Sequence, residues 1–391
     1  MNSLRNLIDK IKPNFEKGGK FEKLHSTFDA FETFLFVPDK VTLKGSHIRD
    51  SIDMKRTMSI VITALLPALL WGMWSTGYWH FKMLGEEVSF MQQFAFGFLK
   101  VFPIIAVTYI SGLAVEFIFA QYRGHEVNEG FLVTGMLIPL IMPVDVPLWM
   151  VAVATIFAVI IGKEAFGGTG MNIFNPALVA RAFIFFAYPA HITGDKIWVA
   201  GMSHAQAGTI VDGFSGATPL GNAGLGMVDK IPDLQTLFWG FMPGSIGETS
   251  KIAILLGAAF LIITGIGSWR IMLSALLGGL AMSGIFNLAG ANDYMNVNPV
   301  TQIMMGSFMF GIVFMATDPV TAAQTNRGKW IYGFLIGMFA IMIRVFNPAY
   351  PEGTMLSILL MNTFAPLIDH YVVEANIKRR LKRASKTVVN T

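Results

Sequence analysis

The sequence predicts an all-α polytopic membrane protein of about ten transmembrane helices, arranged as two inverted five-helix repeats with broken helices. Three observations lead there. The 391 residues are 53% hydrophobic and only 14% charged, with a mean hydropathy of +0.56. The apolar residues gather in runs near the ~20-residue length that crosses a hydrocarbon core. A short motif and its upstream anchors also recur once, 172 residues apart.

The first 55 residues are charged and hold no run long enough to cross. They also lack the apolar core and small-residue cleavage site of a signal peptide. Residues 1–55 are therefore expected to form a cytoplasmic extension. Ten apolar runs follow, near 57–79, 94–119, 130–143, 147–162, 174–189, 252–267, 271–289, 301–317, 330–346 and 354–371. The third, fourth and fifth are short or interrupted by Gly and Pro, which a bilayer tolerates only where protein or a cavity surrounds the break. On this division 56–190 is the first repeat, 191–250 a loop region, 251–372 the second repeat and 373–391 a basic tail.

Lysine and arginine placement orients the spans. The segment through Arg56 carries eleven and the tail after Tyr371 six; with Arg123, Lys163, Arg270, Arg327 and Lys329 that side holds twenty-two. The other side holds five: Lys82, Lys196, Lys230, Lys251 and Arg344. Both termini are thus expected in the cytoplasm, and the 191–250 region on the outer face.

Ile173-Phe174-Asn175-Pro176-Ala177 reappears as Val345-Phe346-Asn347-Pro348-Ala349, and Gly135 with Pro143-Val144 is matched by Gly311 with Pro319-Val320. Five crossings per copy force the second copy to insert upside down, an inverted-topology repeat. Breaks are expected at Gly167-Gly168-Thr169-Gly170, ahead of Asn175-Pro176, and at Thr317-Asp318-Pro319.

Within the outer loop, Asp212-Gly213-Phe214-Ser215-Gly216-Ala217-Thr218-Pro219 is polar and glycine-punctuated. Ser215, Gly216 and Ala217 leave no bulk beside Thr218, and Pro219 biases Thr218 toward an extended backbone that would present its hydroxyl. A plain Gly/Ser turn reads the same way from composition alone.

Other chemistries are narrowed by what the chain lacks. It has no cysteine, so it cannot by itself ligate an iron–sulfur cluster or form a disulfide. The seven histidines are expected in loops, tails or at helix ends, which disfavours paired haem ligation. No nucleotide-binding Gly-x-x-x-x-Gly-Lys-Ser/Thr loop occurs. No transition-metal site is expected, and an electron carrier here would be organic, a flavin being the natural candidate. The net charge of +4 comes mainly from the cytoplasmic ends, which should meet anionic lipid heads or partner subunits rather than nucleic acid. Trp71, Trp74 and Trp79 look like an interfacial belt.

The stretch from Lys163 through Ala177, with Arg181-Ala182-Phe183, Ser215-Gly216-Ala217-Thr218 and the basic end Asn376-Ile377-Lys378-Arg379-Arg380, resembles the NqrB family, membrane subunits of the bacterial sodium-translocating NADH:quinone oxidoreductase. The resemblance runs through nearly the whole chain and implies membership of a six-subunit complex of the bacterial inner membrane. It implies FMN bound through a phosphoester to Thr218, installed on the periplasmic side by a flavin transferase that reads the Asp212–Pro219 pattern. Electrons would continue to a non-covalent riboflavin and reduce ubiquinone or menaquinone as sodium leaves the cell. For riboflavin and quinone no motif can be carried over, so Gly167, Gly168, Thr169, Gly170, Asn172, Asn175 and Arg181 are named only as an environment.

Charge inside a bilayer is costly, so Lys100, Glu116, Glu164, Arg181, Asp318, Arg344 and Asp369 should pair, line cavities or snorkel. Sodium wants carboxylate and carbonyl oxygens, which makes Asp318, beside Pro319, the first candidate on a sodium path, with Asp369 and Glu116 behind it. Three other readings stay open at this stage: the RnfD component of an Rnf-type ferredoxin:NAD oxidoreductase, a secondary transporter or channel on the same repeat, and a purely structural anchor.

Overall fold

A computed structural model of the chain describes residues 54–123, 130–189, 198–201, 217–347 and 353–389, residue 192, and parts of the stretch 2–48. Every regular element among them is helical. In chain order these are α1 (Asn2–Ile11), α2 (Met54–Leu84), α3 (Phe90–Arg123), α4 (Phe131–Leu140), α5 (Leu148–Gly162), α6 (Pro176–Ala187), α7 (Pro219–Gly224), α8 (Leu234–Trp239), α9 (Lys251–Ile263), α10 (Trp269–Ala289), α11 (Pro299–Met304), α12 (Phe308–Phe310), α13 (Asn326–Phe346) and α14 (Gly353–Val389). A π-helical turn, Gly311–Met315, continues α12.

Six stretches are long and apolar enough to cross a membrane: Met54–Leu84, Phe90–Arg123, Leu148–Phe166, Trp269–Ala289, Asn326–Phe346 and Gly353–Ser385. Three shorter apolar helices, α4, α6 and α9, pack among them. With the broken α11–α12–π segment they match the ten apolar runs in order. One contiguous buried core joins α2 to α14. It lets interrupted helices persist, because their freed backbone groups face protein rather than lipid.

Close backbone approach knits the second half. α10 and α13 pack along their length, and a Cβ on Gly337 would overlap the Ala275 carbonyl. The first half uses the same device where Gly97 on α3 meets the Met73 carbonyl on α2.

The breaks follow local chemistry. Gly167, Gly168 and Gly170 take positive φ of 122°, 98° and 88°, turning the chain after α5. Asn175 then caps α6, its side chain accepting from the Ala177 and Leu178 amides at 3.0 and 3.4 Å, with Pro176 in the first turn. In the second half the chain leaves the π turn through Thr317 and Asp318. A further break, at Met305-Gly306-Ser307, was not anticipated; Gly306 has φ +61°.

Three expectations need correction. The basic end is no separate tail, since α14 runs unbroken from Gly353 to Val389 and takes His370 into a helix interior. Trp79 is no lipid-facing belt residue; it is 9% exposed and packs with Met83 and Val199. Trp71 and Trp74 instead stack edge-on against Phe241. His80, inside the last turns of α2, lies flat on Phe96 with ring centroids 4.0 Å apart and contacts the Ala200 carbonyl through Nδ1 at 2.8 Å. That contact ties residues 198–201 to the end of α2 opposite Met54.

Candidate functional site

Two clefts open at opposite ends of α2, each at helix breaks. The first contains Thr218. Its backbone is extended (φ −70°, ψ 153°), as Pro219 requires of its predecessor, and it caps α7 by accepting the Gly221 amide at Oγ1, 3.0 Å away. The side chain is half-buried, between buried Ala217 and Pro219. Asp212, Gly213, Ser215 and Gly216 lie outside the described residues, so the rest of that motif has no geometry here.

Thr218 stands on the wall of an open cleft of about 660 Å³ whose apolar sides include Phe185, Ile192, Trp198 and Met242. Its floor is made by Glu248 and the Gly306-Ser307 break. Asp233, further along the loop, caps α8 by accepting from the Gln235 amide and the Thr236 hydroxyl at 3.2 and 2.6 Å. The Thr236 hydrogen bond holds the Asp233 carboxyl below the usual carboxylate range.

Beneath this floor the molecule buries charge that sequence reasoning had assigned elsewhere. Lys251 and Arg344, counted as outer-face cations, are 1% and 2% exposed. Lys251 Nζ donates to the Glu248 and Gly306 carbonyls at 2.7 and 3.3 Å. Arg344 donates to the Met305 carbonyl at 3.2 Å and to Thr354 Oγ1 at 2.8 Å. Arg181, 2% exposed, does not snorkel to an interface; its guanidinium lies 5.5 Å from the Trp198 ring centre. Glu248 accepts the Ser245 amide at 3.1 Å. The one sequence signal for this cluster was that Lys251 and Arg344 adjoin apolar runs, which equally suits snorkelling.

A flavin phosphate on Thr218 fits these residues. Ester formation removes the hydroxyl hydrogen but leaves an oxygen that can still accept the Gly221 amide. The aromatic and aliphatic walls suit a flat ring system, and the buried cations suit an anion.

The second cleft, about 850 Å³, lies at the Met54 end and is lined by Thr134, Lys163, Thr169, Asn172, Asn175 and Asp318, among others. Of the environment named from the sequence, Thr169, Asn172 and Asn175 meet here; Arg181 belongs with the other cleft. Lys163 is in a buried ion pair with Glu116, and Arg123 bridges Glu164 at 2.8 Å. Asp318 accepts the Val320 amide and the Thr321 hydroxyl, both at 3.1 Å. Asp369 is engaged elsewhere, accepting the Gln324 and Thr325 amides at 2.6 and 3.0 Å and so pinning that loop to α14. Asp318, Asp369 and Glu116 therefore do not converge, and among the described residues no three His, Asp or Glu side chains form a metal-holding group.

A polytopic helical membrane protein with two clefts cut at helix breaks, one walled by a half-exposed threonine above buried cations, is the class these features define. The chain belongs to the NQR2, RnfD, RnfE family, whose model matches residues 41–378. It is 46% identical to NqrB, the corresponding component of the Na(+)-translocating NADH-quinone reductase, from Ectopseudomonas mendocina (strain ymp), covering 97% of this chain and 99% of that protein. The protein of the same name from Pseudomonas aeruginosa (strain LESB58) is 47% identical with the same coverage. That of Chromohalobacter salexigens is 45% identical over 97% of this chain and 96% of its own length.

Proposed function

We propose that the chain is the NqrB component of a sodium-translocating NADH:quinone reductase of the bacterial inner membrane, with both termini cytoplasmic and FMN esterified to Thr218 on the periplasmic side. The observation that carries this is Thr218 itself. Its hydroxyl is half-exposed, held by an extended backbone on the wall of a cleft with apolar sides. The names of relatives matched over 97% of the chain support the reductase over the Rnf and transporter readings.

When bound, the flavin supplies reversible electron transfer. The chain's own residues do the holding: Thr218 provides the ester oxygen, the Gly221 amide fixes that oxygen, and Phe185, Trp198 and Met242 keep water from the ring faces. The second cleft is proposed for uncharged redox partners, the riboflavin and the quinone, whose polar edges would meet Thr169, Asn172 and Asn175 at a lip shaped by Gly167, Gly168 and Gly170. The partner subunits, a periplasmic flavin transferase and membrane lipids complete the surroundings. The repeats are proposed to be inverted, as five crossings in each would require.

On the sodium path Asp318 remains first, because it lines the second cleft while Glu116 is ion-paired and Asp369 is committed to the Gln324-Thr325 loop. The test is NADH-driven quinone reduction by the assembled complex. Wild type should be stimulated by sodium and the Asp318→Asn complex should need more of it; an unchanged sodium dependence would remove Asp318 from the path. A complex that reduces quinone at full rate without this chain would end the wider reading.

A further inference from the structure

Resting on the reading that Thr218 carries the flavin, the cluster under its cleft acquires a task. We propose that Arg181, Lys251 and Arg344 are positioning residues that lay a positively charged floor beneath the flavin, favour its electron-loaded form and so raise its reduction potential, with Glu248 as the counterweight. All four are buried, at 2%, 1%, 2% and 8% exposure.

The floor is joined to the cleft by named atoms. Lys251 holds the Gly306 carbonyl, and Gly306 lines the cleft. On the far side of that peptide, a Cβ on Gly306 would stand 3.5 Å from Arg344 Nη2 and 3.1 Å from Leu220 on α7, the helix that Thr218 caps. A smaller hollow lined by Arg181 and Thr354 shares Glu248 and Ser307 with the cleft. Arg181 also backs Trp198, one of the cleft walls.

Three cations against one carboxylate leave an excess of positive charge. Two of the three are guanidiniums, which keep their charge in proteins. A flavin that accepts one electron from an upstream one-electron donor, with no proton, gains one negative charge and passes the electron on to the next carrier toward quinone. Opposite charge fixed nearby in a medium of low effective dielectric stabilises the loaded form and loses little to salt screening. Packing alone would not need this sign of charge, since backbone carbonyls at a break can be satisfied by neutral donors.

The test is a redox titration of the covalent flavin in the purified complex, for wild type, Arg181→Met, Arg181→Lys and Glu248→Gln. Covalent flavin is first scored by fluorescence of the denatured chain. Arg181→Met should move the midpoint negative, changing the reduced-to-oxidised ratio at fixed potential by about tenfold, the scale for one charge some 10 Å away at an effective dielectric near 20. Arg181→Lys should stay near wild type, and Glu248→Gln should move the midpoint positive. The displacements should persist at high salt. A fully flavinylated Arg181→Met complex with the wild-type midpoint would overturn the proposal, as would Glu248→Gln with an unchanged or negative displacement. Should Arg181→Met fail to assemble, the sign for Glu248→Gln decides. Wild type with no covalent flavin would defeat the proposed function itself, a result distinct from flavinylated variants of equal midpoint.

Discussion

Thr218 gives one oxygen two possible duties. As a hydroxyl it caps α7; as an ester oxygen it could keep that bond while carrying a cofactor, so modification need not cost the cap. The extended backbone was legible from Pro219, because a proline restricts the residue before it whatever the tertiary setting. The buried cations were not legible. A lysine at the start of an apolar run can reach outward to water or turn inward, and only the Glu248 and Gly306 carbonyls waiting inside make the second choice favourable for Lys251. The Glu116–Lys163 pair shows the same ambiguity, having read equally as a sodium ligand and a structural pair. With both side chains buried, Glu116→Gln leaves Lys163 uncompensated and should destabilise the protein by about 3 kcal/mol. Thermal unfolding in detergent measures this, and a melting point within error of wild type would contradict it.

At the scale of elements, hydropathy located all ten apolar segments because crossing length is set by the bilayer and not by sequence detail. Glycine marked the 167–170 break, where three residues adopt positive φ. The Met305–Ser307 break escaped because a single glycine with no proline beside it commonly sits inside membrane helices. The continuation of α14 through Lys378–Arg383 escaped for another reason: a charged segment has no apolar period, and its helicity is inherited from the anchored turns before it. Helix packing depends on small residues, since lipid gives no hydrophobic drive for association. Gly337→Val should force α10 away from α13, because its Cβ would meet the Ala275 carbonyl. The expected outcome is a sharply reduced folded yield by size-exclusion fluorescence, while the same change at Gly284, which has nothing within 4 Å, should be tolerated.

For the whole molecule, the two clefts at opposite ends of α2 divide the labour, with the Thr218 cleft proposed to face the periplasm and the Lys163–Asp318 cleft the cytoplasm. The N-terminal extension should then serve the second cleft alone. Deleting residues 1–50 is expected to lower quinone reduction severalfold while flavin on Thr218 stays at wild-type level; loss of that flavin would show that the two ends are not independent. The central claim is the bond at Thr218, and in-gel flavin fluorescence of the denatured chain tests it most directly, with wild type beside Thr218→Ala, both expressed with the flavin transferase. A fluorescent band in wild type that is absent from Thr218→Ala is the predicted result. A band of equal intensity in both, or none in either when a control substrate of the transferase is labelled, would contradict the account.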